Sequence, residues 1–596
     1  MAKSKSIFAS KTGPILLLAG PGTGKTHQLA LEIKYLIEKD PANRDKITVI
    51  TFTDEAAKNM KNRLSDEEKS DVFLPPEMQP ANISTMHSLG YRIIRENHSK
   101  VKLPEDIRVL TLPPLLSIMM IDAAQIVGID KSIAKETEMC RRMGDCKKDS
   151  NNNKCKICAK YTELLRSCNA IDYDDQIIMA NELLQHYPDI LTKEQSRARY
   201  LLVDEYQDIN AAQFRFINLL TKDQTDGLLV VGDDDQSIYS FRGGTPRFIR
   251  NFQNDYRNAK IEKKDICFRC PPYIFRGALE VVMRFDTNRL GKGVYTFKNQ
   301  TNKKIVIYDV PSEVKEAEII AQRAKELLPL GEVLILLPRW NFAQPLKKAL
   351  RNKCVNYTCR PNIYESGLYC LQVIKTWLDN ADDNFALREL LNALIEGETL
   401  NKTEKSEIYD CIAKIWNHAL HKQISLFASL KELSCTSQTI ENIYNIFDSM
   451  RTNLSKEAHE FLNTVTKQFG IWKNPQDFLQ EIAEFTEELS NTRVGKETAR
   501  VLTMHSAKGL EADFVFILGL DEGVFPTQSE MQNKDECAEA ARLLFVSMTR
   551  AKRELYLFHA RKRSAGITFL KKSYQLKQSP FIDVIPNDYI TRAYVR

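Results

Sequence analysis

LLAGPGTGKT, residues 17–26, decides how this chain is read. The apolar run from Ile15 to Leu18 reads as a buried strand, and Leu29, Ile33, Leu36 and Ile37 then recur at helical spacing. Between strand and helix, Gly20, Gly22 and Gly24 let backbone N–H groups close around phosphate oxygens with no Cβ in the way. Lys25 is placed for the β- and γ-phosphates, and the Thr26 hydroxyl for Mg²⁺. A helix N-terminus facing the anion completes a phosphate-binding loop. Ala19 stands at the first loop position, where Gly is usual.

Two later stretches supply what such a loop needs. In LLVDEYQD (201–208) an apolar strand ends in adjacent carboxylates. Asp204 is placed to hold Mg²⁺, and Glu205 to orient and deprotonate an attacking water. In VVGDDDQSIYSFRGG (230–244) a third apolar strand is followed by three acids and Gln236, whose amide can both donate and accept. Tyr239, Phe241 and Arg242 follow at once, and aromatics beside a cation suit base stacking with phosphate contact. Taken singly, these are ordinary strand-end acids and core aromatics; their arrival behind a phosphate loop makes them a site.

At 596 residues the chain is too long for one core. Strand patterns alternate with helices up to about residue 64 and return at 200–203 and 228–231. They start again at 304–310 and 333–338, and resume at 501–504, 513–518 and 554–558. Polar, helical sequence fills the gaps, so two α/β domains each carry a mainly helical insertion. The net charge of +6 is mild, and permits a basic track for nucleic acid without demonstrating one. No apolar run is long enough for a bilayer, and the basic start MAKSKSIFASKTG lacks a signal peptide's apolar core. The expectation is a cytoplasmic protein with no membrane partner. Thirteen scattered cysteines do not form a secreted disulfide framework.

Six stretches in order resemble the motifs of the UvrD/Rep/PcrA-type superfamily 1 DNA helicases. They are TFTDEAAKNMKNRL (51–64), STMHSLGYRII (84–94), VDEYQD (203–208), GDDDQSIYSFRGG (232–244), VLTMHSAKGLEADFVFILGLDEGVFP (501–526) and EAARLLFVSMTRAKRELYL (539–557). The closing SPFIDVIP is similar too. The resemblance implies two RecA-like (P-loop NTPase) domains with parallel sheets: 1–88 with 196–280, and 281–376 with 495–596. Residues 89–195 and 377–494 are then the insertions. It implies ATP and Mg²⁺ as cofactors, single-stranded DNA and ss/ds junctions as partners, and 3′→5′ translocation with duplex unwinding. Lys25, Thr26, Asp204, Glu205 and Gln236 keep the roles already read. Arg550 resembles the arginine finger, Arg269 a second γ-phosphate arginine, and Glu511 a nucleotide contact. His27 stands where the family commonly has Arg, and Phe268 where it has a base-stacking Tyr. The DNA track carries over as Phe52, His87, Tyr239, Phe241, Arg242, Arg339, Asn341 and His505.

Several features depart from the family. No Gln precedes Gln28, so the segment that reads adenine has no counterpart and ATP and GTP stay open as alternatives at the base. The Gly-rich signature that opens the second insertion is missing from 357–377, that insertion looks short, and no carboxy-terminal partner-binding extension is expected. Cys140, Cys146, Cys155 and Cys158 give C-x5-C-x8-C-x2-C in a basic, turn-like stretch. Four thiols suit structural Zn²⁺; an iron–sulfur cluster uses the same donors, and reduced cysteines in a loop need neither. Cys267 and Cys270 read as packing. Beside the helicase stands the alternative of a nucleotide-dependent DNA-binding switch or motor subunit gating a partner nuclease or repair factor. An intrinsic nuclease is disfavoured, because no added domain carries paired acids with a Lys.

Overall fold

Two all-parallel sheets carry the chain in the computed structural model, which describes residues 6–11, 13–67, 71–110, 113–144, 149–222, 224–359, 385, 388, 497–564 and 575–595. The first sheet is built from β1 (Ile15–Ala19), β2 (Ile47–Thr51), β3 (Asn82–Thr85), β4 (Tyr200–Val203), β5 (Leu228–Gly232) and β6 (Lys260–Lys264). Its spatial order is β3-β2-β4-β5-β1-β6. Strands β1, β2 and β5 are buried at every residue, because helices cover both faces. Leu16 and Leu18 pack with Ile50, Val203 and Val230 on one face; Ile15 and Leu17 pack with Val49, Leu202 and Val231 on the other.

The second sheet holds β7 (Ile305–Val310), β8 (Val333–Leu337), β9 (Tyr357–Cys359), β10 (Ala499–Thr503), β11 (Ala512–Ile517), β12 (Ala551–Ala560) and β13 (Ile590–Tyr594). The order is β9-β10-β8-β11-β12-β7-β13. Leu334, Leu336, Val515 and Ile517 face one core, and Ile335, Leu337, Phe514 and Phe516 the other.

The polar stretch read as helical from about 65 to 199 contains three short strands. One, β3, edges the first sheet; Arg108–Leu110 and Ala170–Asp172 pair with each other. Three or four residues are too few to display a period of two. The edge strand β6 (KIEKK) was likewise not read as a strand, because its charges mask the pattern. Helix α1 (Lys25–Lys39) follows the phosphate loop, and the helices of the 65–199 stretch include α2 (Ser132–Met143), α3 (Asn153–Ser167) and α4 (Tyr173–His186). Apart from Phe385 and Arg388, the insertion expected over 377–494 lies outside the described residues. Arg388 pairs with buried Asp122 at 2.7 Å, and Phe385 joins the apolar cluster of the first insertion.

Candidate nucleotide cleft and nucleic-acid track

All six strands of the first sheet run the same way, so the segments leaving β1, β4 and β5 emerge along one edge. That edge gathers the phosphate loop, Asp204–Glu205 and the acids before Gln236. Gly20 follows β1 directly. Gly22 and Gly24 both have positive φ, and a Cβ on Gly22 would come within 2.6 Å of the Arg269 Cβ. Gly24 caps α1 without a side-chain hydrogen bond, and Lys25, Thr26 and His27 form the first turn. Lys25 Nζ is buried, has no hydrogen-bond partner among the described residues, and sits 3.6 Å from Glu205 Oε1. A buried ammonium without an acceptor is costly unless a ligand supplies one. Phosphate oxygens fit that need.

Glu205 occupies the left-handed region at φ 51°, a strained backbone for a non-glycine residue. Burial works to protonate its carboxyl, but Lys25 and Lys508 overcome this and hold it below the usual carboxylate range. Burial and the neighbouring Glu205 push the Asp204 carboxyl up. A divalent cation would reverse that, so Asp204 and the Thr26 hydroxyl are the residues suited to hold Mg²⁺. Gln207 donates to Glu205 Oε2 and accepts from the Asp233 N–H at 3.0 Å, which ties the second motif to the third.

The second lobe closes on this edge. Arg550 lies at the foot of β12, its guanidinium donating to Val546 O at 2.8 Å and Leu510 O at 3.2 Å. Burial first, and then Arg269, push its pKa down to about 9, while Glu205 opposes them. Two arginines this close repel unless an anion lies between them, so the pair suits a γ-phosphate. Arg269 pairs with Glu511 at 2.7 Å, so in this conformation Glu511 holds an arginine. Phe268 donates its N–H to Gly22 O at 2.9 Å and keeps its ring 56% exposed beside the loop. His27 faces Asp71 at 3.7 Å, with its pKa lowered by burial. Cys267 and Cys270 are buried as expected, donating to Pro21 O and Thr549 O.

Lys508 escaped the sequence reading. The segment 504–511 returns across the second sheet from the carboxyl edge of β10 to the amino edge of β11, because these strands are parallel. Midway, Lys508 enters the first lobe. It pairs with Asp208, donates to Gln236 O at 2.7 Å, and lies 3.8 Å from Glu205 Oε2. Its position in AKGLEAD was the only signal in the sequence.

The same returning segment carries His505 to an aromatic surface shared by both lobes. Phe52 and Tyr239 stack at 5.0 Å, Tyr239 meets Phe241 edge-on at 5.8 Å, and Phe241 meets His505 at 5.4 Å. Arg242 lies over the Tyr239 and Phe241 rings, and Phe241 is 46% exposed. His87 does not touch these rings; it meets Tyr173, a 45% exposed ring at the start of α4 that sequence reasoning missed. Burial and Arg242 bring the His87 pKa down to about 4, so it is neutral at pH 7. Arg339 donates to Val524 O at 3.0 Å, and Asn341 sits in the next turn. Of the four clustered cysteines, Cys140 lies on α2, and Cys155 and Cys158 lie one turn apart on α3, which packs against α2. Cys146 lies outside the described residues. No helix among the described residues is long and apolar enough to cross a membrane.

Fold and cleft define the class: a two-lobed P-loop nucleotide-binding protein with Arg550 of one lobe directed at the phosphate-loop edge of the other. Residues 2–257 match the UvrD/REP helicase N-terminal domain and residues 363–562 the UvrD-like helicase C-terminal domain, so the chain belongs to the UvrD-like helicase family. It is 28% identical to the ATP-dependent DNA helicase PcrA of Bacillus subtilis (strain 168), over 97% of this chain and 84% of that protein. It is similarly 28% identical to a probable DNA helicase II homolog of Rickettsia felis and 29% identical to DNA helicase II of Rickettsia typhi. Each of these alignments covers 99% of this chain and 96% of the relative.

Proposed function

We propose that this chain is an ATP-dependent DNA helicase that translocates 3′→5′ along single-stranded DNA and separates duplex ahead of it. The observation that carries the reading is the segment 504–511. Within eight residues it supplies a ring to the aromatic surface (His505), a cation to the first lobe's acids (Lys508) and the partner of a phosphate-facing arginine (Glu511). Any rotation of the second lobe that admits or releases a triphosphate therefore shifts a DNA-facing residue with it. Lys25 and Thr26 take phosphate and Mg²⁺, Asp204 the metal, and Glu205 the attacking water. Gln236 senses the γ-phosphate or the water that attacks it, Arg269 and Arg550 face the γ-phosphate, and His27 and Phe268 flank the base. Stacking on Phe52, His87, Tyr239, Phe241 and His505, with Arg242, Arg339 and Asn341 on the strand, makes binding largely indifferent to sequence.

The test is unwinding of a 3′-tailed duplex against a 5′-tailed one, with ATP and GTP compared. ATP-driven separation of the 3′-tailed substrate alone is expected. DNA-stimulated hydrolysis without strand separation would favour the switch that gates a partner. For the first insertion we propose structural Zn²⁺ on Cys140, Cys146, Cys155 and Cys158. Support comes from Cys155 and Cys158 one turn apart on α3, which packs against the helix α2 that carries Cys140; among the described residues these three thiols do not lie within ligand distance of one another, so binding would draw them together. Elemental analysis of protein purified without added zinc decides it, since less than about a tenth of an equivalent removes the metal from a site that binds it for folding.

A further inference from the structure

Asp233, Asp234 and Asp235 bring their carboxylates within ligand distance of one another, buried below the phosphate loop's edge. Such a cluster resembles a cation site, and here the cation belongs to the chain. Lys292 Nζ lies 2.8 Å from Asp233 Oδ1, 2.7 Å from Asp234 Oδ1 and 2.5 Å from Asp235 Oδ2. Arg289 pairs with Asp235 at 2.6 Å, and Arg250 reaches both Asp234 at 3.0 Å and Asp286 at 2.6 Å. Arg542 of the second lobe then pairs with Asp286 and donates to Ser237 O, each at 2.6 Å. Four carboxylates thus meet four cations, with no charge left for a metal to neutralise.

The consequence falls on the residue next in sequence. Gln236 Nε2 donates to Asp233 Oδ2 at 2.6 Å, while Asp233 Oδ1 accepts from the Asp235 N–H at 3.2 Å and faces Lys292. A carboxylate engaged on every side as an acceptor settles which end of the Gln236 amide turns toward it. The carbonyl Oε1 is therefore turned away from Asp233. We infer that Asp233, locked by Lys292, is a positioning residue that holds Gln236 with its acceptor presented to the nucleotide site, so that Gln236 orients the attacking water by accepting from it. This rests on the reading that the chain hydrolyses ATP on DNA.

Asp233→Asn tests it. The single Asn carbonyl is claimed by Lys292 and the Asp235 N–H, so the amide NH₂ faces the Gln236 NH₂ and forces that side chain over. Asp233→Ala leaves Gln236 without a director but does not reverse it. A merely structural aspartate makes the isosteric Asn milder than Ala in every assay. A positioning aspartate makes the two orders cross: Asn keeps the higher melting temperature yet has the lower DNA-stimulated kcat. The expected fall for Asn is about 100-fold, the usual scale for one lost transition-state contact, with KM for ATP changed less than about threefold. In a Gln236→Ala background Asp233→Asn has no further effect on kcat. Multiplying effects in the double variant, or a kcat for Asn above that for Ala, overturns the positioning role while leaving the helicase reading intact. Wild-type protein without DNA-stimulated hydrolysis overturns both.

Discussion

Lys508→Met removes a charge that joins the two lobes and lies over the Tyr239 ring, while keeping an unbranched side chain of similar length. The ammonium makes one charge-assisted hydrogen bond to Gln236 O at 2.7 Å, worth about 1.5–3 kcal/mol. It also neutralises Asp208, whose carboxyl burial has pushed up to about 6 despite Lys508. Without the lysine, Asp208 escapes as a buried charge by taking a proton. Protonating a group one unit above its pKa costs about 1.4 kcal/mol, which caps that part of the loss. Together these come to about 3–4 kcal/mol of lobe closure, or a factor of roughly 100 to 1,000 in the closed population. The phosphate loop is untouched, so nucleotide should still bind. Steady-state hydrolysis at saturating single-stranded DNA should show kcat reduced about 100-fold or more, with fluorescent-nucleotide affinity within about threefold of wild type. A kcat within threefold of wild type, or loss of nucleotide binding with kcat intact, refutes the reasoning.

Glu205→Gln keeps the shape of the carboxylate and should abolish turnover while nucleotide still binds; wild-type hydrolysis in this variant contradicts the base assignment. Arg550→Ala should lower kcat by about 10³-fold with little change in nucleotide affinity, and an effect confined to affinity would argue against a finger role. His87 titrates at about 4 in the folded protein and near 6.5 when unfolded. The unfolded chain therefore binds the extra proton first as pH falls, and stability drops between about pH 6.5 and 4, by at most about 3 kcal/mol, less for its partial exposure. His87→Gln should flatten the melting-temperature profile over that range; parallel profiles for the two proteins remove His87 as the cause.

Local chemistry was legible in the amino-acid order. A phosphate loop is ten consecutive residues whose backbone geometry needs particular glycines, and its strand and helix declare themselves by period. Asp204–Glu205, Gln236 and the Tyr239–Arg242 run were readable for the same reason: each is contiguous and ends a strongly apolar strand. Edge strands such as 260–264 were not, because their stability comes from a neighbour and their charges hide the pattern.

Pairings across the chain belonged to the tertiary structure alone. Lys508 finds Asp208 at a separation of 300 residues, and Arg269 finds Glu511 at 242. No spacing rule reaches so far, since only the parallel order of two sheets brings those segments together. Three acids in a row at a strand end name no partners; folding delivers Lys292, Arg289 and Arg250 to them. The physical reason is that hydrogen bonds of loops and strand periods are set by neighbours in sequence, whereas the sign of the field at a buried carboxylate is set by whatever packs against it.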